Sequence, residues 1–334
     1  MNKKRVVVVG GGTGTHTVLR GLRHYADEVD ITAVVSMSDS GGSSGRLCDE
    51  FGQLPIGDVR NALVALAAED SRNGQLLRKL FLYRFNRGEG LTGHNFGNLL
   101  LTALTDILGS EVEAIEGASS ILRIAGKVVP VTTDHTDLVA EYEDGSVVFN
   151  EHNIDVLSPD KPNLRIVNLY LNPEANLNPV ARKALTEADM IVLGPGDLYT
   201  SILSNCVVKG FAEALHDSDA KLVYVCNLMS KKGQTVGMNA MEHINEIIRY
   251  VDRTPDVAIV NSTPFSKDLL DEYIKAGDFP VQNNCTSDKC FIYADNLVSD
   301  EIVKPIIGDN TKRSFIRHDS DKLSAILFNL LQSS

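Results

Sequence analysis

No apolar run in this chain approaches the roughly 20 residues that a membrane-spanning helix requires, so insertion into a bilayer is not expected. Basic runs are equally scarce. None is longer than Lys3-Lys4-Arg5, and the formal net charge is −12. A nucleic-acid surface needs a basic face to neutralise phosphates, so that class of partner is not expected either. Lys3-Lys4-Arg5 resembles the start of a secretory leader, but the apolar stretch behind it, Val6 to Val9, stops at Gly10 and is too short for one. Cysteine is limited to Cys48, Cys206, Cys226, Cys285 and Cys290, odd in number and scattered, which fits a reducing cytoplasm with no disulfide framework. Only Cys285 and Cys290 lie close together, and no further ligands stand near them in the spacing a zinc site needs. The chain has no internal repeat, no low-complexity tract, no HExxH pair and no Ser-His-Asp arrangement.

What remains is an ordinary globular composition, 43% hydrophobic and 23% charged, in 334 residues, long enough for a single large α/β domain. Val6–Val9 is β-branched, apolar on both faces and closed by glycines, as a strand buried between two layers should be. A helix over Thr15–Tyr25 and a second strand over Ile31–Val35 complete a β-α-β opening. Helical spacing dominates from Asp58 to Arg123, with Leu76, Leu80 and Tyr83 on one face and a wide apolar stripe from Phe96 to Ile107 that predicts a buried helix. Short strands at Val128–Val131, Leu138–Tyr142 and Val147–Phe149 suggest a β-rich insertion or small lobe over about 127–163. The α/β rhythm returns with strands at Ile166–Tyr170, Met190–Leu193, Leu222–Cys226 and Val257–Val260, helices at Pro179–Ala188 and Val207–Leu215, and a final helix over Asp321–Leu331.

Four of these strands run directly into small polar loops, and in open parallel sheets ligands lie in the crevice beyond the strands' carboxyl ends. The first loop is Gly10-Gly11-Gly12-Thr13-Gly14-Thr15. Glycines permit positive φ and close backbone approach, so its amides and the helix that follows can cradle an anion; a tight strand-to-helix turn is the plainer reading of the same residues. The loop lacks the third glycine and the acid at the end of the second strand that mark NAD binders. It also lacks the Gly-Lys-Ser/Thr ending of a P-loop. The Ser36–Gly45 loop offers Asp39, Gly41, Gly42, Ser43 and Ser44 for phosphate or ribose, with Asp39 as a possible ligand of a divalent metal such as Mg, or else it is a flexible surface segment. In Gly57-Asp58-Val59-Arg60-Asn61, Asp58 reads as a helix cap. Gly93-His94-Asn95-Phe96-Gly97-Asn98 opens the most apolar helix; Asn98 is assigned to the ligand and His94 is left between a general acid-base and a core histidine. The turn Gly194-Pro195-Gly196-Asp197 with Thr200 and Ser201 repeats the Gly-rich pattern. Asn227 and Lys232 follow the next such strand, and Arg317 precedes the last helix as a bidentate partner for pyrophosphate.

In this order, these segments resemble the bacterial gluconeogenesis factor family (YvcK type), which is related in fold to 2-phospho-L-lactate transferase. The resemblance spans nearly the whole chain and includes Gly41–Arg46, Gly57–Asn61 and Arg317-His318-Asp319. It implies a Rossmann-like three-layer sandwich, UDP-sugar binding, and a role in cell shape and growth on gluconeogenic carbon, without an established reaction. By position, Thr13, Asp39 and Gly194–Asp197 would line the nucleotide cleft and Arg317 would meet its phosphates. Transferase relatives carry two adjacent acids after the second strand, whereas here Asp39 is followed by Ser40. The alternative, a metal-assisted transferase of phosphate-linked groups, leans on both. Self-association into a homo-oligomer is compatible with the sequence.

Overall fold

All four valines of Val6–Val9 are buried, Val6 and Val8 on one face of strand β1 (Lys4–Gly10) and Val7 and Val9 on the other. A strand covered on both faces belongs at the centre of a sheet. In the computed structural model, which describes residues 3–156, 164–285, 290–299 and 316–333, β1 lies between β2 (Val29–Val35) and β7 (Met190–Leu193). The remaining strands of the main sheet are β3 (Lys127–Pro130), β8 (Lys221–Val225), β9 (Val257–Asn261) and β10 (Phe291–Asp295). Its order is β10-β9-β8-β7-β1-β2-β3, with every neighbouring pair parallel. Helices Gly12–Leu22, Gly57–Leu66 and Ser320–Gln332 cover the Val6/Val8 face, while Pro179–Thr186, Phe211–His216 and Ala240–Val251 cover the other. The result is a three-layer α/β sandwich with a mostly parallel sheet.

A second sheet is antiparallel, with β4 (Asp137–Tyr142) between β5 (Val147–Phe149) and β6 (Ile166–Asn172). This shifts the expected lobe. Lys127–Pro130 is the edge strand of the main sheet, and Ile166–Asn172, read as a return to the α/β rhythm, instead pairs with β4. Both runs are short and apolar, and such runs do not reveal which sheet will recruit them. Of the expected 127–163 insertion, 157–163 lies outside the described residues. Strand β10 was not predicted at all. It is an edge strand with mostly exposed or half-buried side chains, so it lacks the apolar pattern that marks its neighbours.

The first helix starts at Gly12 and the last at Ser320, both earlier than their apolar spacing suggested, and helix Gly42–Phe51 stands where a Ser36–Gly45 loop and no helix were expected. Beyond β7 the chain enters a wide helical turn over Leu198–Leu203, then Ser204–Cys206 and Phe211–His216, in place of one helix over Val207–Leu215. The helical stripes also face differently than predicted. Helix Arg72–Leu82 buries Phe81 while Leu76, Leu80 and Tyr83 stay exposed, and Ile107 at the end of helix Phe96–Leu108 is 76% exposed.

The first and last helices cross at Gly21, where a Cβ would collide with the Ser320 carbonyl oxygen and stand 2.7 Å from the Ser324 side chain. Gly21→Ala gains about 1 kcal/mol of helix propensity, but overpacking costs about 1–3 kcal/mol, and backbone cannot swing aside as a side-chain tip can. The variant should unfold at lower urea concentration than the parent; an unchanged or higher midpoint would show that this crossing is loosely packed.

Candidate functional site at the sheet's switch point

From β1 the chain winds outward through β2 to β3, and from β7 it winds the other way through β8 and β9 to β10. The connections therefore part company between β1 and β7, where open α/β sheets form their ligand crevice. Both strands end in Gly-rich turns that touch. A Cβ on Gly14 would strike the Pro195 carbonyl and lie 2.9 Å from the Gly196 nitrogen; one on Gly12 would stand 3.5 Å from Ser201 Oγ. The next strand is tied in by Asn227, whose Nδ2 donates to the Gly196 carbonyl at 2.6 Å. Gly12, Thr13, Gly14, Gly196, Asp197, Ser201 and Asn227 are half-buried along this line, and Gly10, Gly11, Thr15, Gly194, Pro195 and Thr200 lie beneath them. Thr15 Oγ1, Thr200 Oγ1 and Asn227 Oδ1 are buried without a hydrogen-bond partner among the described residues. Buried polar atoms are usually satisfied, so such a cluster marks a place where polarity serves something other than packing.

The first loop does not present all its amides to an outside anion. Asp58 reaches across from the third helix and accepts the Gly12 N–H at 2.7 Å, and its other oxygen sits where a Gly11 Cβ would be. Asp58 was read as the cap of its own helix, but Ile56 holds that position. Burial, then the charge of Asp39, pushes the Asp58 carboxyl up to about 7. Asp39 itself accepts Ser44 Oγ at 3.0 Å and the Gly41 N–H at 3.2 Å. Ser44 and Ser43 point inward. Asn98 Nδ2 donates to Ser44 Oγ at 3.2 Å, leaving Asn98 Oδ1 buried and unpartnered among the described residues. Ser43 Oγ meets His94 Nδ1 at 3.2 Å and accepts the Asn95 N–H at 3.1 Å. Burial, then the charge of Arg46, lowers the His94 pKa.

The small sheet sends helix Glu151–Asp155 over the strand tips. At one end the His152 N–H donates to Ser40 Oγ at 3.1 Å; at the other Asp155 and Asp197 grip Lys231 Nζ at 3.0 and 2.9 Å. Burial works against the Lys231 charge, yet the two carboxylates hold its pKa above the usual range. Lys231 thus takes the place expected for Lys232, which is exposed, donates its N–H to Asp278 and stacks its side chain toward Gly277. Adjacent turn residues point in opposite directions, and sequence alone does not say which faces inward. Glu151, also missed, is driven well above the usual carboxylate range by burial, then by the charges of Asp39, Asp155 and Asp58.

Arg317 is half-buried beside the first helix, where its guanidinium, with those of Arg78 and Arg20, adds to the burial that pushes His16 down to about 3. His318 anchors this segment by donating Nε2–H to the Cys226 carbonyl at 3.2 Å at the end of β8, and Asp319 caps the last helix. Among the described residues no three His, Cys, Asp or Glu side chains converge to hold a metal. Asp39 accepts one hydrogen bond on each oxygen and has no further ligands gathered beside it among the described residues, so no step is derived through a metal.

Fold and loop placement define a doubly wound α/β protein with its polar turns gathered at the switch point. Residues 6–298 match the family described as 2-phospho-L-lactate transferase CofD, and the chain belongs to that family. It is 37% identical over 333 residues to the gluconeogenesis factor of Bacillus subtilis, covering 99% of each chain. It is 41% identical over 285 residues to the gluconeogenesis factor of Halalkalibacterium halodurans, covering 84% of each. A crystal structure of a UPF0052 family member from Bacillus halodurans superimposes with a TM-score of 0.86 at 36% identity, covering 98% of this chain and 99% of that one. No helix among the described residues is long and apolar enough to cross a membrane.

The raised Asp58 pKa fixes a pH dependence. The native state holds this proton more tightly than the unfolded chain, whose ordinary value is 3.8, so the stability it brings is full below that value and lost as pH rises through about 7. The depressed His16 and His318 act in the opposite sense around pH 6.5, where an unfolded histidine takes up its proton, and they do so equally in a variant that changes Asp58 alone. Between pH 6.5 and 8 the parent's urea midpoint should therefore fall relative to that of Asp58→Asn, which retains an acceptor for Gly12 and carries the same histidines. Parallel slopes in the two proteins would refute the assignment.

Proposed function

We propose that this chain is a UDP-sugar-binding regulatory protein, acting in growth on gluconeogenic carbon sources and in the maintenance of cell shape. The observation that carries the reading is the meeting of two Gly-rich turns at the switch point, with Arg317 beside the helix that leaves the first of them. Backbone amides and a helix N-terminus favour a phosphate group, and a guanidinium offers it a bidentate partner. Thr13, Gly14, Gly196, Ser201 and Asn227 form the half-buried edge on which a nucleotide would rest. The gluconeogenesis factor names of the relatives support the physiological role.

The electrostatics orient such a ligand. Asp58 and Asp39 occupy the β2 side of the first loop, so the pyrophosphate belongs on the opposite side, toward Arg317. A regulatory role fits this site better than metal-assisted transfer. Ser40 stands where a second acid would be needed, and its hydroxyl is engaged by the lobe helix.

Calorimetric titration should give saturable binding of UDP-N-acetylglucosamine without turnover, and no heat with NAD. Arg317→Ala removes a charge-assisted hydrogen bond of about 1.5–3 kcal/mol, so affinity should fall roughly 10- to 100-fold. Heat with NAD alone would overturn the ranking of ligands, and undiminished affinity in the variant would remove Arg317 from the site.

A further inference from the structure

Beside the strand tips, on the far side of the Asp39 loop from the switch point, lies a cavity of about 470 Å³ between helix Gly42–Phe51 and the small antiparallel lobe. That volume is within the range of small-molecule sites. Ser38, Ser40, Asp49 and Gln53 line one wall, and Asp137, Asn150 and His152 line the other. No lysine or arginine lines it, so apart from the imidazoles of His135 and His152 it offers nothing to pair with a phosphate, and its few apolar contributors do not make a hydrophobic pocket. Hydroxyls, amides and carboxylates are what a neutral, hydroxyl-rich group requires, since each ligand hydroxyl both donates and accepts.

Two further observations point to a ligand. Asn150 Oδ1 has no hydrogen-bond partner among the described residues, while across the cavity Gln53 is held by its Nε2, which donates to the Thr102 carbonyl at 3.4 Å and to Asp106 Oδ1 at 3.1 Å. A terminal amide turns over a broad torsional well, so rotation of the Asn150 side chain would bring its oxygen to bear on a guest. Asn150 also sits at φ 73°, ψ 135°, backbone space that belongs almost entirely to glycine. Its side chain makes no cap for the helix it precedes, so packing at that helix does not explain why the position carries an amide.

We propose that this cavity is a glycosyl subsite, receiving the uncharged hydroxyl-rich group carried on the terminal phosphate of the nucleotide. This rests on the nucleotide-sugar reading above. The spacing suits it. Neighbouring strands are about 5 Å apart, so the tip of β2 and its loop lie only one to two strand widths from the β1/β7 crevice. Ser40 belongs to both places, since it follows Asp39 and lines the cavity.

The test compares UDP, UDP-glucose and UDP-N-acetylglucosamine by calorimetry on the full chain, in the parent protein, Asn150→Gly and Asp137→Ala. Glycine suits the Asn150 backbone, so that variant keeps the fold while losing the amide, and Asp137 is exposed at the rim. The UDP-sugars should bind more tightly than UDP in the parent. Each substitution should cut sugar-nucleotide affinity about two- to tenfold, the worth of one hydrogen bond, and leave UDP affinity unchanged. UDP-sugars that bind no better than UDP, or variants that leave the ratio intact, would overturn the subsite. Failure of UDP and UDP-sugars alike to bind the parent would overturn the nucleotide reading itself, and the subsite with it.

Discussion

The site depends on two turns of main chain packed against each other with no side chain between them. Gly14 faces the Pro195 carbonyl at a distance that excludes any Cβ. Parallel strands hold neighbouring tips about 5 Å apart, and a residue with a side chain at Gly14 would force them wider. Glycine at this position is thus a packing requirement before it is a binding feature. Because β1 and β7 are the pair from which the chain departs in opposite directions, the same contact also defines the floor of the crevice.

Asp58 qualifies what that floor can do. A buried carboxylate resting on the Gly12 amide takes the share of the helix terminus that an incoming anion would otherwise claim. Its raised pKa follows from the same placement, since one hydrogen bond from Gly12 does not offset complete burial beside Asp39. Glu151 obeys the same logic from the lobe side. Lys231 is delivered to two carboxylates at once and opposes this trend, although burial still raises the Asp155 carboxyl. Removing that lysine would leave Asp155 and Asp197 facing each other partly buried, a costly arrangement.

The parts legible in the sequence were those with an unambiguous local pattern. Val6–Val9 announces a central strand because it is apolar on both faces, and the Gly-rich turns announce themselves by backbone freedom that few other residues share. Less legible were features decided by distant partners. The destination of β3 and β6 depends on which sheet edge is free, and β10 is recruited by β9 with little apolar patterning of its own. Asp58 has the local chemistry of a cap, and only the third dimension brings Gly12 within its reach. The choice between Lys231 and Lys232 turns on which adjacent side chain faces the lobe helix, and that helix lies far away in sequence.

The lobe helix explains why acids collect at a site whose proposed ligand is itself anionic. Glu151–Asp155 spans from Ser40 on the β2 side to Lys231 on the β8 side, closing one flank of the strand tips. With Glu151 held toward its neutral form and Asp155 paired with Lys231, that flank leaves no unpaired cation for phosphate among the described residues, while Arg317 lies on the other. On the proposed reading the pyrophosphate would lie toward Arg317, and the uncharged group it carries would be directed toward the lobe. A second phosphate group in place of the sugar would meet Asp49 and Asp137 with no lysine or arginine on the cavity walls to receive it.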